Sequence, residues 1–261
     1  MLAGLWAYRH FIVSSIRGEF KARFARSKLG ALWMVLHPLA MALIFAILLS
    51  EVLQTRLPQT NIKAAYPVYL LAGTAAWTLF SEVLTRSMTV FIEQAAVMKK
   101  IAFPRLCLPV IVCGAALINH ALLIAAILIV FLAFGHVPGV ALIQLPLGVL
   151  LIAALALGLG ITLGVMNVFM RDIAQVVTIA LQIWFWMTPI VYPLDVVPER
   201  FKFLLEINPV VPLVELYHDA FLFDRWTDMS ALLYPACLAV IGLIFAMIFF
   251  RRASAELVDA L

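Results

Sequence analysis

At 261 residues, 66% hydrophobic and only 12% charged, with a mean hydropathy of +1.10, the chain lies far from the half-apolar, quarter-charged balance of soluble domains and reads as a polytopic membrane protein. The formal net charge of +4 requires no nucleic-acid partner, because twelve of the 18 basic residues fall where a positive-inside bias puts them. The three cysteines, Cys107, Cys113 and Cys237, lie in or near apolar stretches, which favours small buried hydrophobes over disulfides or a metal site.

In chain order, the opening MLAGLWAYRHFIV lacks a basic n-region and its apolar part is interrupted by Arg9 and His10, so no cleaved signal peptide is expected. Over 5–28, Tyr8, Phe11, Ile12, Ile16, Phe20 and Phe24 recur at helical spacing. Arg17, Lys21 and Arg23 are among the residues between them. That pattern predicts a cytoplasmic interfacial amphipathic helix. Two roles fit it: an anchor to anionic inner-leaflet lipid, or a lever that touches a cytoplasmic partner.

Six apolar runs are long enough to cross a hydrocarbon core of about 30 Å: 29–52, 67–91, 106–134, 142–168, 173–193 and 232–250. They are continuous, which favours helices over the short alternating strands of a barrel. The expected fold is an all-α integral membrane protein, one transmembrane domain over 1–261. It has six transmembrane helices, the N-terminal interfacial helix, and short re-entrant helices between spans five and six. In the first span His37–Pro38 marks a kink. In the second, Glu82 and Arg86 are four apart and can pair on one helix face, either neutralising each other locally or lining a polar pathway.

A short polar and basic loop, EQAAVMKKIAFPRL, follows the second span. In the third, Asn119 and His120 favour interhelical hydrogen bonds over a proton relay. In the fourth, Ala156, Gly160 and Gly164 form a ridge of small residues suited to close helix packing.

The fifth span carries a helical-wheel signal. At about 100° per residue, Arg171, Gln175, Thr178, Gln182, Phe185, Trp186, Pro189 and Tyr192 fall on one arc, with Trp184 and Val191 opposite. Lipid does not select amides, whereas a watery lumen accepts them and its aromatic faces can stack on sugar rings. An interfacial aromatic belt is the alternative, and it suits Trp184 and Tyr192. Pro189 removes the donor for the carbonyl of Phe185 and loosens the helix there. Beyond, 195–228 mixes apolar pairs with prolines, acids and aromatics without a spanning run, which predicts short helices capping a pathway on the outer face.

With the N-terminus inside, Arg9, Arg17, Lys21, Arg23, Arg26, Lys28, Lys99, Lys100, Arg105, Arg171, Arg251 and Arg252 are cytoplasmic. Both termini are therefore expected inside. The sequence contains no HExxH, GxSxG, CxxC or GxxxxGK[ST] motif, so no P-loop in this chain binds ATP.

Five stretches in order carry a resemblance covering nearly the whole chain: KARFARSKLGALWMVLHPL, MKKIAFPRLCLP, RDI followed by WFWMTPIVYP, INPVVPLVELYHDAF and FFRRASAEL. Together the chain resembles the membrane subunits of type-2 ABC exporters, in the branch that exports O-antigen, capsule and teichoic acid. It departs from that branch at His218, where an arginine is frequent, and at Gln94–Ala95, where an asparagine is.

The resemblance implies a transport subunit rather than an enzyme, in the bacterial cytoplasmic membrane. It implies a homodimer paired with two copies of a separate ATPase, which uses ATP and Mg²⁺ while this chain binds no cofactor. The substrate it implies is a lipid-linked glycan. The N-terminal helix (Arg17, Phe20, Lys21, Arg23, Phe24) and the loop bearing Glu93, Met98, Lys99, Lys100 and Phe103 would dock the ATPase. Gln175, Thr178, Gln182, Phe185, Trp186, Pro189 and Tyr192 would line the glycan channel, with an outer gate around 198–223. The rivals are a drug or lipid permease of the same fold and a membrane enzyme acting on lipid-linked intermediates.

Overall fold

The computed structural model of the protein describes residues 6–25, 36, 40, 65–100, 103–133, 135, 137–254, 256 and 257. The expected first span, 29–52, lies outside the described residues except for those two isolated positions. All regular structure among the described residues is helical. The helices are α1 (Arg9–Ala25), α2 (Ala65–Glu93), α3 (Ala95–Lys100), α4 (Cys107–Ala133), α5 (Leu145–Phe169), α6 (Asp172–Trp186), α7 (Glu199–Ile207), α8 (Val211–His218) and α9 (Met229–Ala253). A 3₁₀ turn, Val140–Gln144, leads into α5, another spans Leu194–Val196, and a π-helical turn, Asp219–Phe223, follows α8.

Among the described residues, four stretches are long and apolar enough to cross a membrane: Ala65–Glu93, Cys107–Leu132, Val140–Phe169 and Met229–Ala253. Each starts with local chemistry that suits a helix. Pro67 and Pro109 sit in first turns and a proline occupies the first positions of α5, where the missing N–H costs nothing. The Asp228 side chain caps α9 by accepting from the Ser230 amide at 2.9 Å.

α2 is the axis of the fold, 72% of its apolar window being buried. Thr78 and Thr85 fold their hydroxyls back on the helix, donating to the Thr74 carbonyl at 2.7 Å and the Ser81 carbonyl at 2.6 Å, which satisfies both groups within an apolar core. α5 lies alongside because its glycines allow it. A Cβ on Gly160 would come within 2.7 Å of the Ser87 Cβ, and one on Gly164 within 2.9 Å of the Ser87 carbonyl oxygen. On its other side Gly158 meets the α9 backbone at Gly242 and Leu243. The ridge expected from sequence is a backbone-to-backbone crossing.

Only part of the expected fifth span, 173–193, is helical. α6 stops at Trp186 after 15 residues, about 22 Å of rise, and irregular chain carries on to Pro193. The Phe185 carbonyl accepts from the Thr188 amide at 3.2 Å in a tightened last turn. The Thr188 hydroxyl caps the Trp184 carbonyl at 2.9 Å. Pro189 then has no N–H with which to extend the helix.

At the end opposite Glu93, a polar cap ties the start of α5 to the approach to α9. The Gln144 side chain donates to the Arg225 carbonyl at 2.9 Å and accepts from the Thr227 amide at 3.0 Å. Asp219 accepts from Thr227 Oγ1 at 2.8 Å and pairs with Arg225. Asp224 holds a left-handed φ of 45° and accepts from the Ala141 amide at 2.9 Å. Gly139 lies so close that a Cβ there would overlap the Asp224 carboxylate. Gly139→Ala is therefore expected to destabilise the protein by about 2 kcal/mol, read as a lower midpoint in thermal unfolding in detergent. An unchanged midpoint would show that the cap tolerates displacement of Asp224.

Candidate functional site

α6 is buried along one side only. Val177 and Leu181 face the core. The Trp184 ring meets Phe80 edge-on at 5.1 Å and its Nε1 donates to Asn208 Oδ1 at 2.9 Å. Trp184 thus faces neighbouring helices, the side opposite the stripe expected from the wheel. On the open side Gln175, Thr178, Gln182 and Trp186 follow one another at exposed positions, Trp186 at 57% exposure. Thr178 spends its hydroxyl on the Ala174 carbonyl at 2.8 Å, leaving two amides and an indole as the groups this face can offer a ligand.

The structure does not continue that stripe through all the expected residues. Phe185 is half-buried, edge-on between Trp77 at 5.7 Å and Trp186 at 5.5 Å, so it supports the indole instead of forming an open wall. Pro189 is buried and Tyr192 half-buried. The wheel placed both by a rotation of about 100° per residue, which no longer applies once the helix ends at Trp186. Tyr192 is still tied to the stripe, its hydroxyl donating to the Trp186 carbonyl at 2.8 Å.

What holds the broken chain after α6 was missed in the sequence. The Tyr66 hydroxyl donates to the Val191 carbonyl at 2.7 Å, and the Tyr69 hydroxyl lies 2.9 Å from the Pro189 carbonyl and 3.0 Å from that of Tyr192. Asn208 supplies the rest. Its Nδ2 donates to the Met187 carbonyl at 3.3 Å and to Thr188 Oγ1 at 3.0 Å, and its Oδ1 accepts from the Val210 amide at 3.0 Å as well as from Trp184. Irregular backbone away from water survives only when its polar groups are paired in this way.

His218 stacks on Tyr69 with centroids 3.7 Å apart, in space that exists because position 73 is glycine. A Cβ there would come within 2.7 Å of His218 Nε2. One turn earlier, burial and then the nearby Asp219 carboxylate raise Glu215 to about 7, with Arg225 acting the other way. The sequence marked this region through the INPVVPLVELYHDAF stretch and its departure at His218.

At the opposite end Arg86 joins three elements. Its Nη1 donates to Glu82 Oε1 at 3.1 Å, its Nη2 pairs with Glu19 of α1, and Asn119 of α4 donates to the same Glu82 oxygen at 2.8 Å. His120 bonds across to the Tyr217 hydroxyl at 2.8 Å. Both residues singled out in the third span therefore make interhelical hydrogen bonds. A cavity of about 410 Å³ lies beside Arg86, walled by Phe11, Ser15, Glu19, Glu93 and Gln94 among others.

A second recess, about 600 Å³, is formed by Tyr8, Met98, Lys99, Lys100, Phe103, Pro104 and Arg105. The expected docking set is thus divided: Glu93 lines the first cavity and the others the recess. Within the recess Lys99 and Lys100 are exposed and Met98 is buried. The Phe103 ring lies 5.5 Å from Phe11 of α1, which brings the N-terminal helix to the loop. On α1, Arg17 and Lys21 are exposed and Phe20 is half-buried. The Arg23 and Phe24 side chains lie outside the described residues. Among the described residues no group of three or more His, Cys, Asp or Glu is placed to hold a metal ion.

Comparison with known proteins matches residues 11–222 to the family described as ABC-2 type transporter. The chain is 28% identical over 259 residues to the O-antigen export system permease protein RfbA of Myxococcus xanthus, covering 98% of this chain and 97% of that protein. It is 30% identical over 209 residues to a protein of the same name from Klebsiella pneumoniae, covering 78% and 77%. To the polysialic acid transport protein KpsM of Escherichia coli it is 26% identical over 237 residues, 89% of each chain.

Proposed function

The chain belongs to the ABC-2 type transporter family, and on that premise we propose that it is the permease subunit of an ATP-driven polysaccharide exporter. Its cargo is a lipid-linked glycan of the O-antigen or capsule class, moved outward across the bacterial cytoplasmic membrane. The observation that carries this reading is the open face of α6. Gln175 and Gln182 are amides on a helix whose other exposed residues include Val176, Ile179 and Ile183. Amides facing hydrocarbon are unfavourable, so the face fits a water-filled lumen closed by a second copy of the chain. Trp186 at its top offers a flat apolar surface to the C–H faces of sugar rings. The names of the relatives, which export O-antigen and polysialic acid, point to the same cargo class.

In this reading the single domain crosses the membrane six times. The first crossing, expected at 29–52, lies outside the described residues apart from positions 36 and 40. The fifth is α6 completed by the chain to Pro193, whose carbonyls are paired with Tyr66 and Tyr69. α1 lies at the cytoplasmic interface with both termini on that side, and 195–228 forms the outer gate, α7 and α8 being its short re-entrant helices. The subunit is a transporter component, not an enzyme; ATP and Mg²⁺ belong to two copies of a separate ATPase.

Loss of the gene in its host is expected to strand the lipid-linked glycan at the inner leaflet. Undiminished surface glycan in the deletion strain would refute the function.

The ATPase docks at the recess beside α3, where Lys99 and Lys100 present two cations. Reversing both, Lys99→Glu with Lys100→Glu, is expected to reduce co-purification of the ATPase by about tenfold while leaving the permease in the membrane. Full retention of the ATPase would remove α3 from the docking surface.

A further inference from the structure

The chain beyond the last span packs behind the wall of the recess that bears Met98. Leu257 is fully buried, and it joins the apolar cluster that contains Met98, Leu106, Leu108 and Phe250. Its amide donates to the Ala253 carbonyl at 3.0 Å, closing one more turn after α9. Arg105, a wall of the recess, donates to the Ser254 carbonyl, where α9 leaves carbonyls in need of partners and favours a cation. Two exposed arginines, Arg251 and Arg252, sit in the last turn of α9.

α3 has six residues and Met98 is its buried one. A helix so short has no stability of its own, so its position depends on what Met98 packs among. The C-terminal turn supplies part of that packing, and Arg105 fixes the loop that follows.

We propose that residues 251–254 together with 256 and 257 form a strut that holds the ATPase-docking recess in shape, with Leu257 and Arg105 as positioning residues for the docked ATPase. The inference rests on the recess being the docking site, so its test carries a separate check of that reading. The full-length permease in lipid nanodiscs is titrated with its cognate ATPase, recording the dissociation constant and the stimulated ATP hydrolysis, well below the permease's unfolding temperature.

Leu257→Ala and Arg105→Met are each expected to weaken ATPase binding by about fivefold or more. Leu257→Met and Arg105→Lys should restore it to within about twofold, a recovery that charge alone cannot explain at position 257. The Lys99→Glu, Lys100→Glu pair tests docking itself. If that pair binds as well as the parent protein, the docking reading fails and takes the strut with it. If the pair loses binding while Leu257→Ala and Arg105→Met stay within about twofold, the strut alone is overturned. Should Leu257→Ala fail to reach the membrane, Arg105→Met, which deletes one hydrogen-bonding head and keeps its stem, decides.

Discussion

Trp186→Ala is expected to lower surface glycan by at least about tenfold while the permease inserts and binds its ATPase normally. Truncating an aromatic anchor typically removes 2 kcal/mol or more of binding, about thirtyfold in affinity, and in the proposed homodimer a glycan would meet this ring in two copies. The fold should hold because the indole is 57% exposed and its removal opens no interior void. Trp186→Phe, which keeps a flat face, should retain most export. Phe185→Ala is a different experiment. That ring fills space against Trp77, so its loss is expected to destabilise the protein by about 3 kcal/mol and would confuse packing with transport. Wild-type levels of surface glycan from Trp186→Ala would exclude the indole from the path of the sugar.

Asn208→Leu is expected to cost as much stability as Phe185→Ala. One side chain holds Trp184, Met187, Thr188 and Val210, and an apolar replacement leaves several of those groups buried and unpaired. Single hydrogen bonds within membrane proteins are worth about 0.6 kcal/mol on average, but orphaned polar groups cost about 1–3 kcal/mol each. A net loss of about 3 kcal/mol follows, seen as a thermal midpoint lower by several degrees and as reduced export. Trp184→Phe removes one of the four bonds and should fall between. A midpoint for Asn208→Leu equal to the parent's would mean that the chain after α6 is held by Tyr66 and Tyr69 alone.

These residues also mark where sequence reasoning reached its limit. The spans expected at 67–91, 106–134 and 232–250 correspond to Ala65–Glu93, Cys107–Ala133 and Met229–Ala253, because hydropathy over about 20 residues reports a long apolar helix directly. It does not report a broken backbone. Residues 187–193 are as apolar as the helix before them, and only Pro189 hinted at the break.

Local pairing was legible where the partners sit on one helix, as with Glu82 and Arg86 four residues apart. The third member, Glu19, is 67 positions away and carries no sequence mark of its destination. Tyr66 and Tyr69 were hidden in an apolar run, and their hydroxyls have meaning only against carbonyls that the break sets free. The wheel separated Trp184 from Trp186 correctly, since both lie inside α6. At Pro189 and Tyr192 it assumed a helix that ends at Trp186.

We propose that this chain, with its ATPase, forms an ATP-driven pathway for a lipid-linked glycan. It is tested most directly by reconstituting the permease with its cognate ATPase in liposomes carrying that glycan-lipid on the leaflet facing the ATPase. Exposure of the sugar on the opposite leaflet is then followed with an impermeant glycosidase. The account predicts exposure that requires ATP and both proteins and falls with Trp186→Ala; exposure without the ATPase, or none with both proteins and ATP present, would contradict it.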